Sequence, residues 1–150
     1  MDRRIKKALM HAFLLFLIGG VSVSPVMGGN PETCTREDAI KAETQEPAKS
    51  WDELYASFRR YHQCDDGAIA EGYSDNVATL MAEHWNELGK FKALAIKNPK
   101  FERFVLRHLD ETMSSSQGQT IMNNVRQKCS PSLIVLCKKI KARMLDIGAK

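Results

Sequence analysis

Apolar residues with helical spacing extend through most of this chain and limit the folds that it can adopt. Between Ser50 and Met144 they recur at i, i+3, i+4 and i+7, whereas no stretch alternates convincingly between apolar and polar residues. Recurrence at i, i+3, i+4 and i+7 is typical of amphipathic helices, whereas alternation of apolar and polar residues is typical of half-buried strands. The sequence therefore predicts an all-α fold.

Cap residues divide this region into separate helices. A capping-box pattern begins at Ser50, and an Asn or Ser followed by proline begins two later helices at Asn98 and Ser130. Gly89 is interpreted as the end of the second helix, since glycine commonly terminates helices. We predict one small bundle of about five helices over residues 50–150, stapled by disulfides.

The N-terminal residues have the pattern of an export signal. Four basic residues precede an uncharged apolar stretch from Ala8 to Val23, and small residues follow it. We predict a signal peptide over residues 1–28, which places the protein in the periplasm or outside the cell, with no membrane span in the mature chain. An uncleaved N-terminal anchor is the alternative.

Residues 29–49 are polar and predicted to be a flexible tail, with at most a short helix after Thr35.

The net charge of the mature chain argues against nucleic acid as a partner. The full chain has 22 basic and 18 acidic residues, of which residues 1–28 contain four basic and one acidic. The mature chain therefore has 18 basic and 17 acidic residues, for a net charge of +1. A nucleic-acid-binding domain normally carries a clear basic excess. The remaining basic cluster, from Lys138 to Arg143, is interpreted as the solvated face of the last helix.

Four cysteines in an exported chain predict disulfides, and three complete pairings are possible. We expect Cys129 to end one helix and Cys137 to lie about two turns into the next, which would put them out of register. Cys64 is therefore predicted to bond to Cys137 or, as the alternative, to Cys129. Two alternatives are open for Cys34: a bond to Cys129, or a free thiol that links two chains in a homodimer.

No group of side chains in the sequence matches a known catalytic or metal-binding pattern. The densest reactive group runs from His62 to Asp66, but His62 and Cys64 are two residues apart on a helix and do not face each other. Asp65 or Asp66 is predicted to cap the helix that begins near Ala68. His84 and His108 lie on apolar stripes and are interpreted as hydrogen-bonded core or boundary residues. We predict a protein without enzymatic activity or cofactor.

A polar turn between two helices is the predicted contact with a partner protein. The stretch from Ser114 to Gln119 is the longest uncharged segment between helices that is rich in hydrogen-bonding groups. Loops held by a rigid scaffold commonly carry binding residues. Ser115, Gln117 and Gln119 are therefore the candidate partner-binding residues.

Two motifs resemble those of small exported helical proteins of Gram-negative bacteria. They are Y-x-x-C-D-D-G-A-I-A-E-G-Y from Tyr61 to Tyr73, and C-S-P-S-L-x-x-L-C from Cys129 to Cys137. Together with the export signal, they resemble the Rap1a/Tai type of type VI secretion immunity proteins. The resemblance implies a periplasmic inhibitor that binds a cell-wall amidase toxin. The alternatives are an envelope structural or assembly factor, and a small enzyme with a site around His62, Asp65 and Asp66.

Overall fold

The computed structural model describes residues 33–148, which form seven α-helices and, within that range, no strand. The all-α prediction is confirmed, with two helices more than the predicted five. Three short 3-10 turns lie between the helices, at His62–Cys64, Trp85–Glu87 and Pro131–Leu133. The predicted signal peptide, residues 1–28, lies outside the described residues. The helices are α1 (Arg36–Glu43), α2 (Trp51–Tyr61), α3 (Gly67–Glu83), α4 (Leu88–Lys97), α5 (Pro99–Arg107), α6 (Ser115–Gln127) and α7 (Ile134–Asp146).

Two of the three cap signals are confirmed by hydrogen bonds at the helix starts. The third is wrong, because the Ser130 side chain makes no cap hydrogen bond and Pro131 begins a 3-10 turn, after which α7 starts at Ile134. The Ser50 hydroxyl accepts from the Glu53 amide at 3.2 Å, and the Asn98 side chain accepts from the Lys100 amide at 3.1 Å. Each bond satisfies an amide that has no partner inside its helix. Pro99 fits the first helical position because that position needs no amide donor.

Gly89 does not end a helix, which corrects one prediction. The second predicted helix is α3, and it ends at Glu83, where a 3-10 turn redirects the chain into α4. Gly89 lies in the first turn of α4, where neither strain nor a close neighbour demands glycine. The buried side chains Leu88, Phe91 and Leu94 hold this helix against the core.

The segment predicted as a flexible polar tail with at most a short helix after Thr35, residues 29–49, contains the eight-residue helix α1 directly after Thr35, as that prediction allowed. Thr35 caps α1, and its hydroxyl accepts from the Asp38 amide at 3.1 Å. None of the α1 side chains is buried. The helix instead lies beside α2 and α3 and is attached to them by a disulfide.

Aromatic side chains form the centre of the core. Trp51 of α2 stacks on Phe91 of α4, with ring centroids 4.7 Å apart. Phe58, Phe101 and Phe104 continue the cluster across α2 and α5, with centroid distances near 5 Å for the contacts that Phe58 makes. Helices α3 and α6 pack against each other, and α7 packs on α5 and α6. Trp51, Phe58, Phe91, Phe101 and Phe104 are all buried in one continuous hydrophobic core.

The predicted disulfide pairing is wrong. Cys64 bonds to Cys34, with Cα atoms 4.8 Å apart, and Cys137 bonds to Cys129, with Cα atoms 6.4 Å apart. Helix α6 ends before Cys129, and the 3-10 turn delays the start of α7, so that Cys137 lies in its first turn. The two residues therefore come within the 7 Å that a disulfide requires. Cys34 is neither free nor bonded to Cys129.

Within residues 33–148, none of the helices combines the length and the apolar character that crossing a bilayer requires.

Candidate functional site

A buried polar network connects three parts of the fold at one end of the domain. Asp65 follows the 3-10 turn after α2, and Ser74 lies on α3 among apolar residues. His108 ends α5, and Asp110 follows it in the connection to α6. Ser74 and His108 are each only 4% exposed, so their polar atoms depend on one another for hydrogen bonds.

The four side chains form a continuous series of hydrogen bonds. The Ser74 hydroxyl donates to Asp110 Oδ2 at 2.7 Å and lies 3.0 Å from His108 Nδ1. On the other side of the ring, His108 Nε2 lies 3.2 Å from the Asp65 carboxylate. The guanidinium of Arg107 forms an ion pair with the same carboxylate.

Each ring nitrogen of His108 has a hydrogen-bond partner. A hydroxyl has one proton to donate, and Ser74 gives it to Asp110. The Ser74 oxygen is therefore left to accept at the Nδ1 side of the ring. The Asp65 carboxylate faces Nε2 on the other side. The buried histidine is thus fully hydrogen-bonded, as buried polar side chains normally are.

The pKa values of the two carboxyl groups agree with this arrangement. Burial by itself would raise the pKa of Asp65, but the hydrogen bond from His108 and the charges of His108 and Arg107 outweigh it. The pKa of Asp65 is therefore below its ordinary value. Burial also opposes ionisation of Asp110, but hydrogen bonds from Ser74 and Thr112 lower its pKa. Both groups are carboxylates at neutral pH.

Aromatic rings enclose the His108 side chain. The His108 ring lies 4.4 Å from the Phe104 ring and 5.7 Å from the Tyr73 ring, measured between centroids. The Tyr73 hydroxyl forms a 3.0 Å hydrogen bond with Ser57, and burial raises the pKa of Tyr73. The rings thus hold the histidine in place by packing as well as by hydrogen bonds.

A serine, a histidine and two aspartates also occur in hydrolases, but here their roles differ from those of a catalytic triad. In a triad, a neutral histidine nitrogen accepts the proton of the serine. Ser74 is buried, and its proton is held by Asp110. This geometry does not activate Ser74 as a nucleophile.

Two surface depressions meet above the network. A depression of about 580 Å³ exposes parts of Asp65, Arg107 and Asp110, and a second one of about 320 Å³ shares Asp110 with it. We call the combined lining of these two depressions the polar end. Its other lining residues are His62, Ala70, Glu71, Ser74, His108, Thr112, Glu111, Met113, Ser114, Ser115, Gly118, Gln119, Ile147 and Gly148.

Two of the three predicted contact residues line the polar end. Ser115 and Gln119 are exposed and line the smaller depression. Gln117 does not, because it belongs to a capping box: its amide donates to the Ser114 hydroxyl, and its side chain accepts from the Ser114 amide. The predicted loop from Ser114 to Gln119 is therefore wrong, since these residues are the cap and first turns of α6.

The residues around the 3-10 turn have separate roles. Asp66 caps α3 by accepting from the Gly67 amide at 2.8 Å, as predicted. His62 Nδ1 forms a 2.9 Å hydrogen bond with the carbonyl of Phe58. Only Asp65 enters the network. Across residues 33–148, the structure places no three His, Cys, Asp or Glu side chains where they could hold a metal ion.

Sequence reasoning missed the network as a group. Asp65 and His108 are 43 residues apart, and Ser74 and Asp110 are 36 apart, so no local spacing connects them. One signal was present: Ser74 is a polar residue on the otherwise apolar face of α3. No protein-family model, curated protein or solved structure matches this chain.

Proposed function

We propose that this chain is an exported protein-binding module that acts by covering a surface of its partner, without catalysis. The two disulfides are typical of proteins in an oxidising compartment outside the cytoplasm. The basic and apolar pattern of residues 1–28 supports export to the periplasm or beyond the cell.

The polar end is the observation that carries this proposal. It combines two adjoining depressions, and the network of Asp65, Ser74, His108 and Asp110 holds the side chains beneath them in place. A binding surface that is rigid before association loses less conformational entropy when the complex forms. Polar groups around the depressions supply hydrogen bonds whose positions select the partner.

The finer proposal concerns the identity of the partner. The two motifs that resemble the Rap1a/Tai type support a periplasmic immunity protein, whose partner is a cell-wall amidase toxin. The basic last helix favours the second candidate, an envelope structural or assembly factor. In both cases the partner is another protein, and the chain requires no cofactor.

Bulky substitutions on α6 test the contact surface. We expect the double variant Ser115→Tyr, Gln119→Tyr to bind the partner about thirtyfold more weakly or worse, because both side chains would project into the smaller depression. The partner is isolated by affinity capture from an extract of the envelope fraction. Affinity is then measured by calorimetry with the purified proteins.

The matched control is the double variant Asn123→Tyr, Gln127→Tyr, which changes exposed positions with the same spacing farther along α6. It should bind like the unmodified protein. Equal binding by both variants would contradict the assignment of the contact.

A peptidoglycan hydrolysis assay of the captured protein then decides between the two candidate functions. An immunity protein abolishes this hydrolysis at equimolar concentration, whereas an assembly factor does not.

A further inference from the structure

Charge is divided unequally between the two halves of the domain. Residues 33–87 contain twelve acidic and five basic residues, for a net charge of −7. Residues 88–148 contain twelve basic and four acidic residues, for a net charge of +8. The nearly neutral total therefore conceals an acidic half, α1 to α3, and a basic half, α4 to α7.

The exposed aliphatic side chains are concentrated in the basic half. Of the five large hydrophobic residues that are exposed among those described, only Ile40 lies in the acidic half. Ile134, Val135 and Leu145 lie on α7 and are 47%, 66% and 54% exposed, and Ile96 near the end of α4 is 70% exposed. Basic charge and exposed apolar surface thus occur on the same elements.

On α7 two of these residues flank a pair of lysines along one side of the helix. Ile134, Lys138, Lys141 and Leu145 follow each other at intervals of four, three and four residues, which places them in one stripe. Val135 lies next to this stripe. We call these five residues the α7 outer face.

The charges of the α7 outer face are available to a partner. Glu102 pairs with Lys139 and Asp146 pairs with Arg143, but neither Lys138 nor Lys141 has an ion-pair partner within residues 33–148. The Lys92 ammonium on α4 donates to the carbonyl of Ser132 at 2.7 Å. Ser132 lies in the 3-10 turn just before α7, so α4 is close to the start of α7. Ile96 is one turn from Lys92, on the same side of α4.

We infer that the α7 outer face binds the surface of an anionic lipid bilayer. A helix surface that carries both lysines and aliphatic side chains suits a membrane interface, where lysines attract anionic headgroups and aliphatic groups enter the acyl boundary. Protein interfaces have the opposite composition, since their buried centres are enriched in Trp, Tyr and Arg and depleted in Lys. The α7 outer face contains no aromatic residue and no arginine.

Vesicle binding tests this inference. The protein is mixed with vesicles of phosphatidylcholine, with or without phosphatidylglycerol, and the bound fraction is measured by sedimentation. We expect binding to the anionic vesicles that decreases as sodium chloride is added. In the double variant Lys138→Gln, Lys141→Gln, binding should be about thirtyfold weaker, which corresponds to the attraction of two basic residues to an anionic surface.

Two further variants separate charge from apolar contact. Arg59→Gln, Arg60→Gln removes the same charge from exposed positions of α2 in the acidic half, and it should bind like the unmodified protein. Val135→Ser, Leu145→Ser keeps the charge and removes apolar surface, and it should bind about tenfold more weakly. Every variant carries the same N-terminal residues, so differences among them report on α7. Circular dichroism verifies that each variant is folded.

Equal binding to neutral and anionic vesicles would overturn the inference, as would an equal loss in the α2 variant and the lysine variant. If the α7 variants bound vesicles normally but lost an acidic protein from affinity capture, the face would be a protein-binding surface instead. The α7 outer face contains neither Ser115 nor Gln119, so these results do not affect the proposed contact at the polar end.

Discussion

Asp65 connects the charges of the polar end to the rest of the fold. Its side chain is 7% exposed and contacts both Arg107, which is mostly exposed, and His108, which is buried. It also follows Cys64 directly, so the Cys34–Cys64 disulfide restricts its backbone. The carboxylate is the only negative group on the Nε2 side of the His108 ring among the described hydrogen-bond partners. Removal of its charge would leave Arg107 and the Nε2 side of His108 without a carboxylate partner.

We expect Asp65→Asn to lower the free energy of unfolding by about 2 kcal/mol at neutral pH, because a neutral amide replaces the buried carboxylate that Arg107 and His108 contact. The pH dependence should change as well. The pKa of Asp65 is lower in the folded chain than in the unfolded chain, where it is about 4. The stability that the Asp65 carboxylate contributes is therefore fully present above about pH 4, and it is lost as the pH falls through the pKa of the folded chain. The variant should therefore lose less stability than the unmodified protein below about pH 4.

Urea unfolding over a series of pH values measures both effects. Asp66→Asn is the matched control, because the neighbouring side chain is an exposed cap and asparagine caps a helix as well as aspartate does. It should change little at any pH. Identical acid-induced losses in Asp65→Asn and the unmodified protein would show that Asp65 does not contribute as described.

Residue roles could be predicted from the sequence where they depend on near neighbours. Asp66 was predicted as a cap because the helix that it starts follows it directly. His108 was interpreted as a hydrogen-bonded core or boundary residue, and its buried hydrogen bonds confirm this. Its partners could not be predicted, since the packing of α3 against the end of α5 decides which side chains meet.

At the scale of elements, α1 is attached to the domain by little besides its disulfide. It buries no side chain, and its ion pair between Glu37 and Lys41 is internal and exposed. Short helices are marginal in water without tertiary packing. The bond from Cys34 to Cys64 is therefore the main restraint on its position.

We expect the double variant Cys34→Ser, Cys64→Ser to release α1 while α2 to α7 stay folded. Hydrogen exchange of residues 36–43 should approach the rate of an unstructured peptide, because a detached helix of this length is not stable. The bond closes a loop of 30 residues, so stability should fall by roughly 3–4 kcal/mol in the chain-entropy model.

The matched control is Cys129→Ser, Cys137→Ser, which opens a loop of eight residues at the other end of the chain. It should cost less, roughly 2–3 kcal/mol, and leave exchange in α1 unchanged. Continued protection of residues 36–43 without the Cys34–Cys64 bond would show that packing alone holds α1.

Helix starts were easier to predict than helix number. Ser50 and Asn98 each make a local hydrogen bond that a few residues of sequence specify. Helix α4 was missed because Gly89 was interpreted as a stop, although glycine is tolerated in a first turn. Its apolar side chains are buried by α2, and that contact is not visible in the local sequence.

For the whole molecule, the separation of charge affects stability. The acidic half packs on the basic half through α2 against α4 and α3 against α6. Opposite net charges across this boundary attract each other, and dissolved salt screens charges on the surface over about 10 Å at 0.1 M. A chain with its charges evenly mixed would lack this long-range contribution.

We therefore expect added sodium chloride to lower the free energy of unfolding, by about 1 kcal/mol between low and moderate salt. Urea serves as the denaturant because it is uncharged. The Lys138→Gln, Lys141→Gln variant carries less positive charge on the basic half and should depend less on salt. A stability that increases with sodium chloride in this range would contradict the attraction between the halves.

The order of the cysteines along the chain has a consequence for biosynthesis. The first cysteine bonds to the second and the third to the fourth, so each bond is complete within its own stretch of chain. In a polypeptide that emerges N terminus first, Cys34 and Cys64 are both present before Cys129 appears. An oxidant that joins thiols in their order of arrival would produce the native pairs directly, without an isomerase to exchange them.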